Sequence, residues 1–174
     1  LCERGVKAVM TSSLRVKPLA ARAGLGRQGR NTLIAVGAYG TRVSLQTIVT
    51  DMPCARADDD ERGLDARCLN CRACMDACPT HALRGDGTLD IERCVRAQPE
   101  NQPLPEEMRP LTHASLLGCD ICQRVCPRNA AVEPIDIPQD VKKALSLEGL
   151  LSGEYKAFIP LIGRNNARKM RLLN

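Results

Sequence analysis

The chain has 174 residues, a formal net charge of +5, 44% hydrophobic residues and ten cysteines, but only three large aromatic rings, Tyr39, Tyr155 and Phe158. Three rings give no stacking platform for single-stranded nucleic acid, and no apolar run approaches the ~20 residues of a bilayer-spanning helix. The length fits one ordinary domain or two small ones.

In chain order, residues 5–10 (GVKAVM) read as a short buried strand. Pro18 near the first helical position and Gly24 just past the end bracket a helix over residues 19–23. Residues 24–29 spell G-x-G-x-x-G. A dinucleotide fingerprint follows a strand and opens a helix; this one follows a helix and leads into 32–36, which reads as a strand. The glycines are therefore read as a loop that needs positive φ or close backbone approach to something bulky. Residues 37–40 suggest a hairpin turn, with 42–50 as the return strand carrying Val43, Leu45 and Val49 on one face. Pro53 and the acidic run at 58–61 mark a boundary, so residues 1–57 are taken as one domain and 58–67 as a solvated acidic linker.

Cys68, Cys71, Cys74 and Cys78, followed by Pro79, spell C-x2-C-x2-C-x3-C-P, the spacing with which bacterial ferredoxins hold iron–sulfur clusters. Three thiolates two residues apart converge on one cubane, and the fourth serves the other cluster. Cys119, Cys122 and Cys126 before Pro127 repeat the ending of that pattern, and Cys94 is the spare thiol between the two runs. Crossed ligation then assigns Cys68, Cys71, Cys74 and Cys126 to cluster one, and Cys78, Cys94, Cys119 and Cys122 to cluster two, both [4Fe–4S]. Zinc usually takes two C-x-x-C knuckles around one ion, and disulfides suit small secreted chains with a signal peptide; neither matches this run. Ligation by thiolates implies a reducing compartment, so the chain is expected in the cytoplasm. Two clusters would bring the formal +5 down to about +1, so overall charge makes no case for nucleic-acid binding.

The cluster domain is expected over 68–130, with a turn at Asp86 and Gly87. A proline-rich insertion from 95 to 118 reads as an ordered loop over the second cluster. A helical tail over 131–174 has one helix near 139–145 and another from about 165, whose Arg164, Arg168, Lys169 and Arg171 read as a solvated face. Asn165 and Asn166 are read as its cap. His81 and His113 are read as ordinary surface or packing residues, because eight cysteines complete both sites, and Cys2 and Cys54 as spare thiols. Because residue 1 is not Met and the last helix has no cap, a fragment of a longer protein is expected.

The segment ARAGLGRQGRNTL at 21–33 resembles the AGLG-x-x-GKNT loop of epoxyqueuosine reductases. TDMP at 50–53, CPT at 78–80, EMRP at 107–110 and GCDICQRVCPRN at 118–129 fall in the same order and at similar spacing, so the resemblance spans about residues 9–129. It extends to a smaller group of double-cluster proteins that share the glycine loop. The resemblance implies an α+β chain: the C-terminal part of a cobalamin/flavin-type α/β domain, a bacterial two-[4Fe–4S] ferredoxin-like domain and a short helical tail. It further implies that the loop residues Gly24, Gly26, Gly29, Arg30, Asn31 and Thr32 face a cobalamin to which the clusters feed electrons. An electron donor such as a flavodoxin or ferredoxin, and a tRNA or small-molecule substrate, would be the partners. Counting back from the loop, the family's proton-donating aspartate falls on Met10, and too little chain follows Cys126 for the family's helical-repeat domain.

Two functions follow. One is a reductase related to epoxyqueuosine reductase; the other is a ferredoxin-like electron carrier or subunit with no substrate site of its own. Cobalamin binding separates them.

Overall fold

The structure is a computed structural model that describes residues 5–53, 63–98, 105–112 and 119–162. The acidic run at 58–61, Cys2, Cys54, His113 and the basic segment after 163 lie outside the described residues. Contacts divide the chain into two units, residues 1–89 with 121–132, and residues 90–120 with 133–174.

The first unit begins with β1 (Ala8–Thr11), which pairs antiparallel with β4 (Thr47–Thr50) so that Ala8 faces Thr50 and Thr11 faces Thr47. The expected buried strand at 5–10 is corrected: Val9, Met10 and Ile48 are 62%, 69% and 53% exposed, since two strands alone cannot cover either face. The expected helix forms as α1 (Val16–Arg22), and Gly24 follows it with φ 69°. The glycine stretch then enters a second antiparallel pair, β2 (Arg27–Gln28) with β3 (Ile34–Ala35), against which α1 lies. Gly26 is required there because a Cβ would run into the Ala35 carbonyl across the pair. Ala20, Ile34 and Ala35 are buried.

Two further expectations change. The strand at 32–36 shrinks to β3, because Thr32 adopts φ 66° and its N–H turns back to the Gly29 carbonyl at 2.9 Å. The turn at 37–40 forms, closed by the Val36 N–H on the Gly40 carbonyl at 2.8 Å. Its return segment does not pair with β3, however. The Thr41 N–H donates to the Asn129 side chain instead, and only β4 regains strand geometry, against β1.

The loops around the first cysteine run are stitched to the β2–β3 pair by Gln28. Its carbonyl accepts the Asp65 N–H at 2.8 Å and its side-chain amide donates to the Gly87 carbonyl at 2.6 Å. The expected turn at Asp86 and Gly87 is present, fixed by the Asp86 carboxylate accepting the Thr88 N–H and hydroxyl at 2.8 and 2.6 Å.

In the second unit, α4 (Gln139–Ala144) and α5 (Leu147–Ser152) pack around Leu150 and Tyr155, with Leu145 and Ile159 against them. The Ser146 hydroxyl caps α5 by accepting the Gly149 N–H at 3.2 Å, and α6 (Ile159–Ile162) follows. Among the described residues, no helix is long and apolar enough to cross a membrane.

Candidate metal centre

The first cysteine run is shaped by its backbone. The Asp65 carboxylate accepts the Arg67 N–H at 2.9 Å and starts a tight 3-10 turn over Ala66–Cys68. The Cys71 N–H then returns to the Cys68 carbonyl at 3.2 Å, and the short helix α2 (Ala73–Asp76) carries Cys74. Across from it, α3 (Ile121–Arg124) packs against α2 and carries Cys122. Cys126 follows α3, where Pro127 opens the next turn.

These elements bring Cys68, Cys71, Cys74 and Cys126 to the wall of one cavity. Cys74 is buried and the other three are partly so. Burial pushes the Cys74 thiol above its ordinary value, and the neighbouring Cys126, Cys68 and Cys71 thiolates push the same way. Burial likewise raises Cys126; the Arg128 N–H only partly offsets it, and Cys68 and Cys71 add repulsion. Four sulfurs that hinder one another's ionisation in a desolvated site are a donor set that a cationic iron centre satisfies, because metal charge replaces the protons. The thiol-only donor set therefore fits iron–sulfur ligation.

The rest of this cavity is built from the N-terminal segment, with Gly29, Arg30 and Asn31, and from the stretches flanking the cysteines, with Asp65 and Arg128. Gly29 lies close to both: a Cβ there would sit 2.9 Å from the Asn31 amide oxygen, which would have to shift, and in contact with the Cys68 sulfur at 3.5 Å. The Arg30 guanidinium donates through Nη2 to the Leu69 carbonyl at 3.0 Å, and Arg128 pairs with Asp65 at 3.5 Å. Of the loop residues singled out from the sequence, Gly29, Arg30 and Asn31 thus meet the cysteines. Gly26 packs on β3, Gly24 has open space around it, and buried Thr32 accepts from the Lys17 ammonium at 3.3 Å. Sequence reasoning missed Asp65 and Arg128. The signal was local: Asp65 stands where a residue must cap the first cysteine turn, and Arg128 follows Cys-Pro directly.

Cys78 has a different setting. Burial pushes its thiol up, but the Ala82 N–H at 3.3 Å, the Thr80 hydroxyl at 3.7 Å and backbone donors of Thr80 and Leu83 outweigh it, leaving the thiol below its ordinary value. Cys122 shares this unit, where its carbonyl accepts from the Asn31 amide at 3.5 Å. Cys94 and Cys119 belong to the second unit. There the Gln98 side-chain amide spans the Ile91, Glu92 and Cys94 carbonyls at 3.3, 2.7 and 3.2 Å and fixes the turn that presents Cys94. His81 is exposed, with φ 52°.

Residues 67–129 match the sequence family described as a 4Fe-4S double cluster binding domain. The chain is 39% identical over 125 residues to the epoxyqueuosine reductase of Lactococcus garvieae, covering 71% of this chain and 34% of that protein. It is 36% identical over 122 residues to the epoxyqueuosine reductase of Bacillus subtilis, covering 70% and 31%. The solved epoxyqueuosine reductase from Streptococcus thermophilus superposes with a TM-score of 0.73 at 32% identity, over 95% of this chain and 46% of that one. The chain thus spans about a third of the length of the curated relatives it matches.

Proposed function

We infer the function from a chain that belongs among the double [4Fe–4S] cluster-binding proteins related to epoxyqueuosine reductase, and we propose that it is the electron-relay part of a cobalamin-dependent reductase. The observation that carries this is the shared lining of one cavity by Cys68, Cys71, Cys74 and Cys126 together with the glycine-loop residues Gly29, Arg30 and Asn31. In this reading Cys68, Cys71, Cys74 and Cys126 hold cluster one, and Cys78, Cys94, Cys119 and Cys122 hold cluster two by the crossed spacing of the two runs.

The loop of Gly24, Gly26, Gly29, Arg30, Asn31 and Thr32 is then a partition. Gly29, Arg30 and Asn31 would border cluster one, and Gly24 and the half-exposed Leu25, which meet open space, would be the part available to the corrin. Met10 lies on an open groove with Leu14, Val16 and Leu45, which supplies apolar surface for such a ring. When bound, cobalamin would supply two-electron chemistry at cobalt, while the clusters pass single electrons. Met10 sits at the position of the family's proton-donating aspartate, and a thioether has no proton to give, so this chain's own residues leave that step to another acid or to a different reaction.

The substrate class follows from the relatives. An epoxyqueuosine reductase bound to an epoxyqueuosine-modified tRNA stem loop superposes with a TM-score of 0.66 at 32% identity, and a modified tRNA nucleoside is the substrate proposed here. A flavodoxin or ferredoxin would be the electron donor, in the cytoplasm. The alternative, a ferredoxin-like carrier or subunit without a substrate site, rests on the cluster domain alone.

Anaerobic visible spectra of the iron-loaded protein, with and without cobalamin, test the proposal. A shift of the corrin bands on mixing supports the relay. Unchanged bands in protein carrying both clusters would leave the carrier function in its place.

A further inference from the structure

Two arginines that line the cluster-one cavity each keep a donor unused. Among the described residues the buried side-chain nitrogens without a hydrogen-bond partner are Arg30 Nε and Arg128 Nε, and both residues line the cavity of Cys68, Cys71, Cys74 and Cys126. One terminal nitrogen of each guanidinium is held by the protein: Arg30 on the Leu69 carbonyl at 3.0 Å, Arg128 on the carboxylate of Asp65, itself a cavity residue, at 3.5 Å. The Arg128–Asp65 pair is well covered, with side chains only 19% and 11% exposed. A buried donor left unpaired is costly. Both donors belong to residues that line one cavity, and an acceptor held in that cavity would satisfy them.

We propose that the Nε–H groups of Arg30 and Arg128 donate hydrogen bonds to sulfur atoms of cluster one and raise its reduction potential. The inference rests on the two-cluster reading above and goes beyond it by giving the two arginines a task of their own. Thiolate and sulfide sulfurs are the acceptors that the cluster brings into the cavity. Hydrogen bonds to sulfur and nearby charge are main determinants of such a potential. Adding an electron makes the cluster more negative, so an adjacent guanidinium and its N–H stabilise the reduced form more than the oxidised one. Arg30 and Arg128 are positioning and tuning residues here, acting on electron flow through the cluster.

The test is an anaerobic dithionite titration of fully loaded protein followed by electron paramagnetic resonance. Arg30→Met and Arg128→Met should each lower the cluster-one midpoint, with about a tenfold smaller reduced-to-oxidised ratio at the unaltered protein's midpoint, ~59 mV for a one-electron couple. Arg72→Met is the control, because Arg72 stands beside Cys71 but is 64% exposed and pairs with Asp76 on the surface at 3.5 Å. Shifts no larger than that of Arg72→Met would overturn the proposal. Where a variant loses iron, the unaltered protein decides: with arginine labelled by 15N on its guanidino nitrogens, the reduced cluster should show 15N hyperfine coupling in electron–nuclear double resonance. No coupling from a loaded cluster overturns the inference. Absence of iron and sulfide from anaerobically reconstituted protein overturns the two-cluster reading on which it stands.

Discussion

Asn129 and Thr41, 88 residues apart, bond each other reciprocally: the Thr41 N–H donates to Asn129 Oδ1 at 2.7 Å, and Asn129 Nδ2 donates to the Thr41 hydroxyl at 2.9 Å. Asn129 Nδ2 also donates to the Gln123 carbonyl at 2.7 Å, on the segment that leads to Cys126. Both residues are buried. The end of the second cysteine run is thus tied to the N-terminal segment by a buried side chain.

Asn129→Ala should therefore destabilise the first unit by about 2 kcal/mol, the range for stranding buried polar groups, and should speed loss of cluster one to a chelator. Thr41→Val keeps the backbone donor and should cost less. Denaturant midpoints and bleaching rates in excess chelator check both.

Metal analysis of the intact protein should give about eight irons per chain, the count for two four-iron clusters. Cys78→Ser should spare the cluster in the Cys68, Cys71, Cys74 and Cys126 cavity and remove the other, leaving about four irons. Cys2→Ser and Cys54→Ser should leave the full count.

Removing the metal makes stability depend on pH. Cys74 and Cys126 have folded-state thiol values raised above their ordinary one, so their protonated forms favour the fold. That contribution is complete below the ordinary thiol range and is lost as pH rises through it and past the raised folded values. Reduced apo protein should lose denaturant resistance as pH rises above the ordinary thiol range, about 8.5. Cluster-loaded protein, whose sulfurs carry no titrating protons, should not show this loss.

Gly26→Ala should lower thermal stability and cluster loading without any corrinoid present, because the new methyl meets the Ala35 carbonyl. Gly24→Ala meets no neighbour but must hold φ 69°, a cost of ~1 kcal/mol; any larger effect confined to cobalamin binding would mark this part of the loop as the corrin face. Met10→Asp should leave cluster content unchanged and, if the proposed reduction lacks only a proton donor, raise turnover of epoxyqueuosine.

The cysteine spacing made the cluster domain legible because ligand geometry is written in short sequence distances, and the glycine loop was legible as a place of close approach. What approaches Gly26 and Gly29, however, is the protein itself: the Ala35 carbonyl, the Asn31 side chain and the Cys68 sulfur. The pairing of β1 with β4 was not legible. It joins segments separated by the whole loop and hairpin, and the local pattern at 42–50 is equally compatible with a partner at 32–36. Arg128 and Asp65 each stand at a locally marked position, after Cys-Pro and at the cap of the first cysteine turn, but only the fold puts them on one cavity.

The route of the chain through the first cavity also bears on how the protein is made. Synthesis runs from the N-terminus, so Cys68, Cys71 and Cys74 leave the ribosome well before Cys126, and an unfinished chain holds a three-thiol site with one corner missing. Iron delivered at that stage would meet an open, oxidation-prone site. Stable assembly of the proposed centre would wait for Cys126, and for Asn129 three residues later to fasten that segment to Thr41, which would tie maturation of the centre to synthesis of the second cysteine run.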